Sequence, residues 1–157
     1  MKIPVIIYCY CGDDSQRLLF RVPASLGLAY VVRVKEEQER TLYARQSLYV
    51  GIRRDWSSGS KILLVKKNTQ GDSVIIGSAT LGKIVELDAL NNGEKKLCLE
   101  NNWYGKMVFA MLARFLPAVS VSETPLAGKH PALLHGLAIT EDELSEIESL
   151  ASSKIIT

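Results

Sequence analysis

The sequence predicts an α+β domain, a curved and mostly antiparallel sheet followed by a C-terminal helix. Three observations carry that expectation. Two apolar runs, KILLVKK over Lys61–Lys67 and VIIGSATLGKIVEL over Val74–Leu87, flank the polar break NTQGDS. The second run holds Gly77 and Gly82 at interior positions, where glycine marks a bulge, a bend or a close approach of two backbones. A small sheet closes on itself only by bending at such points. Finally, Thr140 with Glu143 three residues later opens the clearest helix in the chain, through a capping box.

Taken in order, Ile3–Tyr10 (IPVIIYCY) is rich in β-branched and aromatic side chains and reads as a strand with Pro4 near its start. Cys11–Gln16 reads as a turn. Arg17–Arg40 is ambiguous: LLFRV and LAYVVRV look like strands, while Pro23-Ala24-Ser25 is a helix-opening pattern. The balance favours strand over Leu28–Val34, with Glu36–Arg40 a solvated charged turn or helix end. Thr41–Arg54 alternates loosely between apolar and polar residues. Ser57-Ser58-Gly59-Ser60 is a strong turn signal after Trp56.

Past the central pair, Asn91–Glu94 reads as a turn and Lys96–Leu99 as a short strand. Met107–Phe115 (MVFAMLARF) fits helix or strand by periodicity. A long bent strand is favoured because the β-rich neighbours need a partner, and AVSVSE after Pro117 alternates as an edge strand does. In the last helix Asp142, Glu143 and Glu146 complement the dipole, and Leu144, Ile147, Leu150 and Ala151 form one apolar stripe. No repeat, low-complexity tract or linker divides the 157 residues, so residues 1–157 are expected to form one domain.

Composition narrows the function classes. A net charge of +2 lacks the strongly basic signature of a non-specific nucleic-acid coat, yet it permits a local basic patch. No apolar run approaches the length of a membrane helix. Pro4 and Cys11-Gly12-Asp13-Asp14 break the N-terminal apolar run too early for a secretory signal. No membrane partner and a cytoplasmic location are the expectations. The three cysteines, Cys9, Cys11 and Cys98, argue against a disulfide framework. Cys9 and Cys11 would share a strand face, but with only His130 and His135 as distant histidines they read as buried small side chains rather than metal ligands. No metal or cofactor is expected.

The candidate binding residues lie on either side of the central pair. Arg45, Arg53, Arg54, Trp56 and Ser57 precede it, Lys66 ends its first strand, and Trp103, Tyr104 and Lys106 follow it. Arginine and lysine position phosphates, and aromatic faces stack on unpaired bases. The plainer reading makes the tryptophans plugs at the ends of the sheet and the charges solvated. His135 in LLHGL most simply packs or takes a backbone hydrogen bond, and His130 is exposed. No nucleophile elbow, phosphate-binding P-loop or H-E-x-x-H element is present.

The order of parts resembles a known family. The turn DWSSGS precedes KILLVKK, GDSVIIGSATLGKIVEL follows, then ARFLPAVSVSETPL and ALLHGLAITEDELSEI. This order is similar to the PUA-like superfamily, nearest its EVE and ASCH branches, over roughly Thr41–Ile147. The resemblance implies a mostly antiparallel β pseudo-barrel with a C-terminal helix that binds RNA or a modified nucleotide without catalysis. It also implies a flat-ligand pocket, with Trp56, Ser57 and Ser58 standing where a pocket element would be. An alternative it implies is a small ASCH-like amidohydrolase acting on a modified base, which would need a lysine, a threonine and a glutamate to converge. Lys66, Thr80 and Glu86 are residues of those types. A third reading is a protein-interaction domain.

Overall fold

The computed structural model describes residues 6–9 and 28–156. One mixed sheet organises them. Its strands are β1 (Ile6–Cys9), β2 (Leu28–Arg33), β3 (Ser47–Val50), β4 (Lys61–Lys67), β5 (Ser73–Glu86), β6 (Gly105–Ser120) and β7 (Ala138–Thr140). The order is β1-β6-β5-β4-β2-β7, with β3 also pairing β6. Only β2 and β4 run parallel; every other pairing is antiparallel. The α+β class and the mostly antiparallel pairing match the sequence expectation. The barrel does not, because the hydrogen-bonded order is open, with β7 at one end and β1 and β3 at the other.

Helix α1 (Glu36–Arg45) lies on one face of the sheet, and α4 (Glu141–Ile156) and the short α3 (Pro131–Leu134) lie on the other. Helix α2 (Asn92–Asn101) joins β5 to β6. The two faces carry two cores. Along β2, Tyr30 and Val32 point to the α1 side, and Ala29 and Val31 to the α4 side. Along β4, Ile62 and Leu64 join the first core, Leu63 and Val65 the second. A strand covered on both faces needs a continuous apolar run, which is why KILLVKK lacks alternation.

The two long strands are bent where the glycines predict. Pairing of β5 with β6 shifts register between Ile75 and Gly77, between Thr80 and Leu81, and between Leu81 and Lys83. At the first shift only Ile76 stands opposite Phe115–Ala118 of β6. Pro117 falls in this stretch without a β5 partner, where the ladder to β5 needs no N–H from it. The bulge also anchors α1, since the Tyr43 hydroxyl donates to Ile76 O at 2.9 Å. Burial pushes the Tyr43 phenol well above its ordinary range and keeps it protonated as a donor. Gly77 makes this possible: a Cβ there would meet the Ala113 carbonyl oxygen and come within 3.0 Å of the Tyr43 hydroxyl.

Several expectations are corrected. Glu36–Arg45 is a full helix rather than a charged turn running into an alternating segment. Its signals are three glutamates in the first turn, Arg45 in the last, and the Gln38 side chain accepting from the Lys35 N–H at 3.2 Å. Lys96–Leu99 is also helical. Asn91 caps α2, its side chain accepting from the Glu94 N–H at 2.8 Å, and Asn102 ends the helix in the left-handed conformation. The expected long bent strand is β6, and the capping box is present: the Thr140 hydroxyl accepts from the Glu143 N–H at 3.1 Å, and the Glu143 carboxylate from the Thr140 N–H at 2.9 Å. Ile3–Val5 and Tyr10–Gly27, with the expected turn at Cys11–Gln16 and the Cys9–Cys11 pair as a whole, lie outside the described residues.

Gly77→Ala tests the bulge. Its Cβ meets backbone that cannot yield cheaply, so a loss of roughly 2 kcal/mol or more is expected, seen as a fall of about 5 °C or more in thermal midpoint. Gly93→Ala in α2, whose Cβ meets only the Asn91 side chain at 3.5 Å, should be neutral or stabilising. Equal effects would remove the bulge from its organising role.

Candidate functional site

The expected residues divide into groups with different freedom. The segment 51–60 leaves β3 and returns through a turn to β4. Its entry is fixed by the Tyr104 N–H donating to Val50 O at 2.9 Å, and its exit by the Gly59 N–H donating to Leu81 O at 2.7 Å. Arg53 projects from this segment with its guanidinium 3.9 Å from the centre of the Tyr104 ring and 3.7 Å from the Glu86 carboxylate. Both charged side chains are 63% exposed. An exposed cation–π contact contributes about 0.5–1 kcal/mol and an exposed ion pair about as little. Arg53 can therefore be redirected toward a ligand at low cost.

Trp56 is different. It is 7% exposed and belongs to the α1-side core. Its ring meets Tyr30 edge-on at 5.5 Å and 83°, and its indole N–H donates to the Tyr104 hydroxyl at 3.3 Å. Both its area and its polar atom are committed, so Trp56 acts as a plug beneath Tyr104 and has no free face for a base. Ser57 is exposed, and its N–H donates to Ser60 Oγ at 2.8 Å, closing the turn.

Trp103 follows the left-handed end of α2 and stacks on Tyr49 of β3, with centroids 5.2 Å apart and planes 5° from parallel. Beside this pair, Lys106 and the Tyr49 hydroxyl both bond the Glu94 carboxylate, at 2.7 and 2.8 Å. The Lys106 ammonium and the Tyr49 hydroxyl hold Glu94 below the usual carboxylate range. Burial, then the hydrogen bond to Glu94, pushes the Tyr49 phenol up to about 12. Arg45, exposed at the end of α1, acts on Tyr49 through its charge.

Arg53 and Trp56 thus meet at Tyr104, Trp103, Lys106 and Arg45 act on Tyr49, and Arg54 turns to the Gly136 carbonyl. Lys66 does not join them. It is tied to Glu36 at 3.2 Å and Glu39 at 2.5 Å, clamping α1 to β4. Nor do Lys66, Thr80 and Glu86 converge. Lys66 stands opposite Val74, Thr80 bonds Lys61 at 3.2 Å, and Glu86 pairs with Arg53. Those points are spaced about 20 Å apart along β5. Among the described residues no group of acidic, histidine or cysteine side chains could hold a metal ion, and no helix is long and apolar enough to cross a membrane.

Sequence reasoning missed Tyr49, Glu94 and Arg33, while the backbone hydrogen bond expected of His135 is present, donated by the Arg33 N–H. Tyr49 meets Trp103 and Glu94 across the chain, and His135 meets Arg33 at a separation of 102 residues. Nothing local marks such pairs.

Glu94 supplies a pH test. A carboxylate with a depressed native pKa stabilises the fold fully above its ordinary value of 4.5, and the contribution is lost as pH falls through the depressed value. Denaturant unfolding should therefore show a wild-type advantage over Glu94→Gln at about pH 6 that narrows at about pH 3. An advantage independent of pH would mean that the Lys106–Glu94–Tyr49 contacts add nothing electrostatic.

No protein-family model matches the sequence, and no curated protein matches it.

Proposed function

We propose that the protein is a non-catalytic binding module for RNA or a modified nucleotide, with a PUA-like architecture and a cytoplasmic location. The observation that carries this reading is the exposed Arg53 guanidinium resting on Tyr104, next in sequence to the Tyr49–Trp103 stack. A cation that is weakly held and an aromatic surface beside it are what a single-stranded nucleic acid needs, one for phosphate and one for a base. The order of parts in the sequence supports the family, and the bent, antiparallel β5–β6 pair is the wall such an architecture would share with an open sheet.

In this reading Arg53 and Arg54 meet the backbone, Trp103 offers a stacking face and Tyr104 holds Arg53 in place. Trp56 supports Tyr104 from below, and Lys106 and Arg45 border the aromatic pair. Ser57 lines the approach, and Lys66 contributes through the α1 clamp rather than by contact.

Fluorescence anisotropy with a pool of short single-stranded RNAs tests the proposal. Binding should weaken steeply with salt. Trp103→Ala should cost about 1–3 kcal/mol of affinity, and Arg53→Ala should both weaken binding and flatten the salt dependence by roughly 0.7 of a logarithmic unit. Trp56→Ala should instead lower the unfolding temperature, because it empties the core. No binding at low salt, or wild-type binding by both Arg53→Ala and Trp103→Ala, would end the nucleic-acid reading.

A further inference from the structure

A cluster of cations gathers where β2, the turn after α3 and the segment after β3 meet. The Arg33 N–H donates to His135 Nδ1 at 2.9 Å, and the Arg33 Nη2 group donates to Pro131 O at 2.9 Å. From the facing segment, Arg54 donates from Nε to Gly136 O at 2.9 Å and from Nη1 to Arg53 O at 2.8 Å. All of these acceptors are neutral. Among the described residues neither guanidinium has a carboxylate within ion-pair distance. Arg33 and His135 are half-buried and Arg54 is exposed, so the cluster is open to solvent.

The backbone is shaped to hold it. Gly136 has φ of 85°, a left-handed conformation that favours glycine, and a Cβ there would lie 2.7 Å from Arg54 Nη2 and 2.6 Å from Ile52 Cδ1. The bare glycine lets the guanidinium approach its carbonyl. The bond to Nδ1 also fixes the imidazole: with that nitrogen accepting, the neutral ring carries its proton on Nε2. Burial, then the charges of Arg33 and Arg54, lowers the His135 pKa. The result is two oriented guanidiniums and an imidazole N–H with no carboxylate paired to them among the described residues. Isolated like charges repel, so such an arrangement costs stability unless something negative visits it.

We infer that Arg33, Arg54 and His135 form a binding site for a phosphate group. Each guanidinium spends part of its donor set on a backbone carbonyl, which orients the rest, and planar guanidinium forks match phosphate oxygens. His135 Nε2–H supplies a neutral donor; a proton added to the ring lands on Nδ1 and displaces the Arg33 N–H, so the imidazole resists charging until a dianion approaches it. The site stands on this geometry alone; only the identity of the ester, terminal or internal, rests on the nucleic-acid reading.

The test follows the His135 imidazole signal by NMR against pH, with and without inorganic phosphate at constant ionic strength, using His130 as internal reference. Phosphate should raise the His135 pKa by at least about half a unit. The shift should shrink in Arg33→Gln and in Arg54→Gln, each checked for a native-like spectrum. A wild-type signal indifferent to phosphate overturns the inference, and so does an undiminished shift in both variants. Repeating the titration with a 5′-phosphorylated and a 5′-hydroxyl trinucleotide separates a terminal monoester from internal diesters, and either response supports the site. A phosphate response without binding to any RNA would leave this site standing and remove the nucleic-acid reading.

Discussion

The bulged pairing of β5 with β6 is the constraint on which the rest of the molecule depends. These strands carry most of the sheet: β4 pairs with one edge of β5, while β3 and β1 share the free edge of β6 in succession. A flat ladder of this length would hold its two ends in one plane. The register shifts bend it, and each face is covered by its own core. The same bulge exposes the Ile76 carbonyl to Tyr43, fixing α1 over one face. Gly59 and Ser60 bond Leu81 between two of the shifts, which fixes the turn that ends the Arg53-bearing segment. The irregularities of this one strand pair therefore set the core, the helix and the segment that carries Arg53.

Charge among the candidate residues is sorted by commitment. Lys66 and Lys106 are both more than three-quarters buried and paired with glutamates, and such pairs specify geometry more than they add stability. Arg53 is exposed and weakly held, and the guanidiniums of Arg54 and Arg33 bond backbone carbonyls and, among the described residues, pair with no carboxylate. Free charge and free aromatic surface thus concentrate where β3 ends, α2 ends and the loop after α3 returns. Trp56, the residue that most invites a binding role by its chemistry, is spent on packing. What faces solvent are the residues that Trp56 supports.

Much of the scaffold was legible. KILLVKK reads as a strand because both its faces are buried, and the interior glycines of β5 read as bends because only a missing Cβ lets Ala113 O and Tyr43 come so near. The last helix was legible through its cap and stripe. Helices α1 and α2 were not, for one reason: each buries a single residue fully, Leu42 in α1 and Cys98 in α2. With so little apolar area to hide, neither develops a helical stripe. In α2 the exposed Leu97 and Leu99 mimic strand alternation around Cys98.

By itself the sequence determined the local quantities: where the chain extends, where it must bend, where the final helix starts, and which residue types suit phosphate and base. These follow from periodicity, caps and the absence of a Cβ, which act over a few residues. The tertiary structure alone decided that the sheet stays open, that Trp56 is core while Trp103 stacks on Tyr49, and that Arg33 bonds His135 while Arg54 bonds Gly136. Those outcomes depend on partners 48, 82 and 102 residues apart in the chain, as in Trp56–Tyr104, Arg54–Gly136 and Arg33–His135. Competition for buried area and for hydrogen-bond partners is settled only when the whole chain has packed.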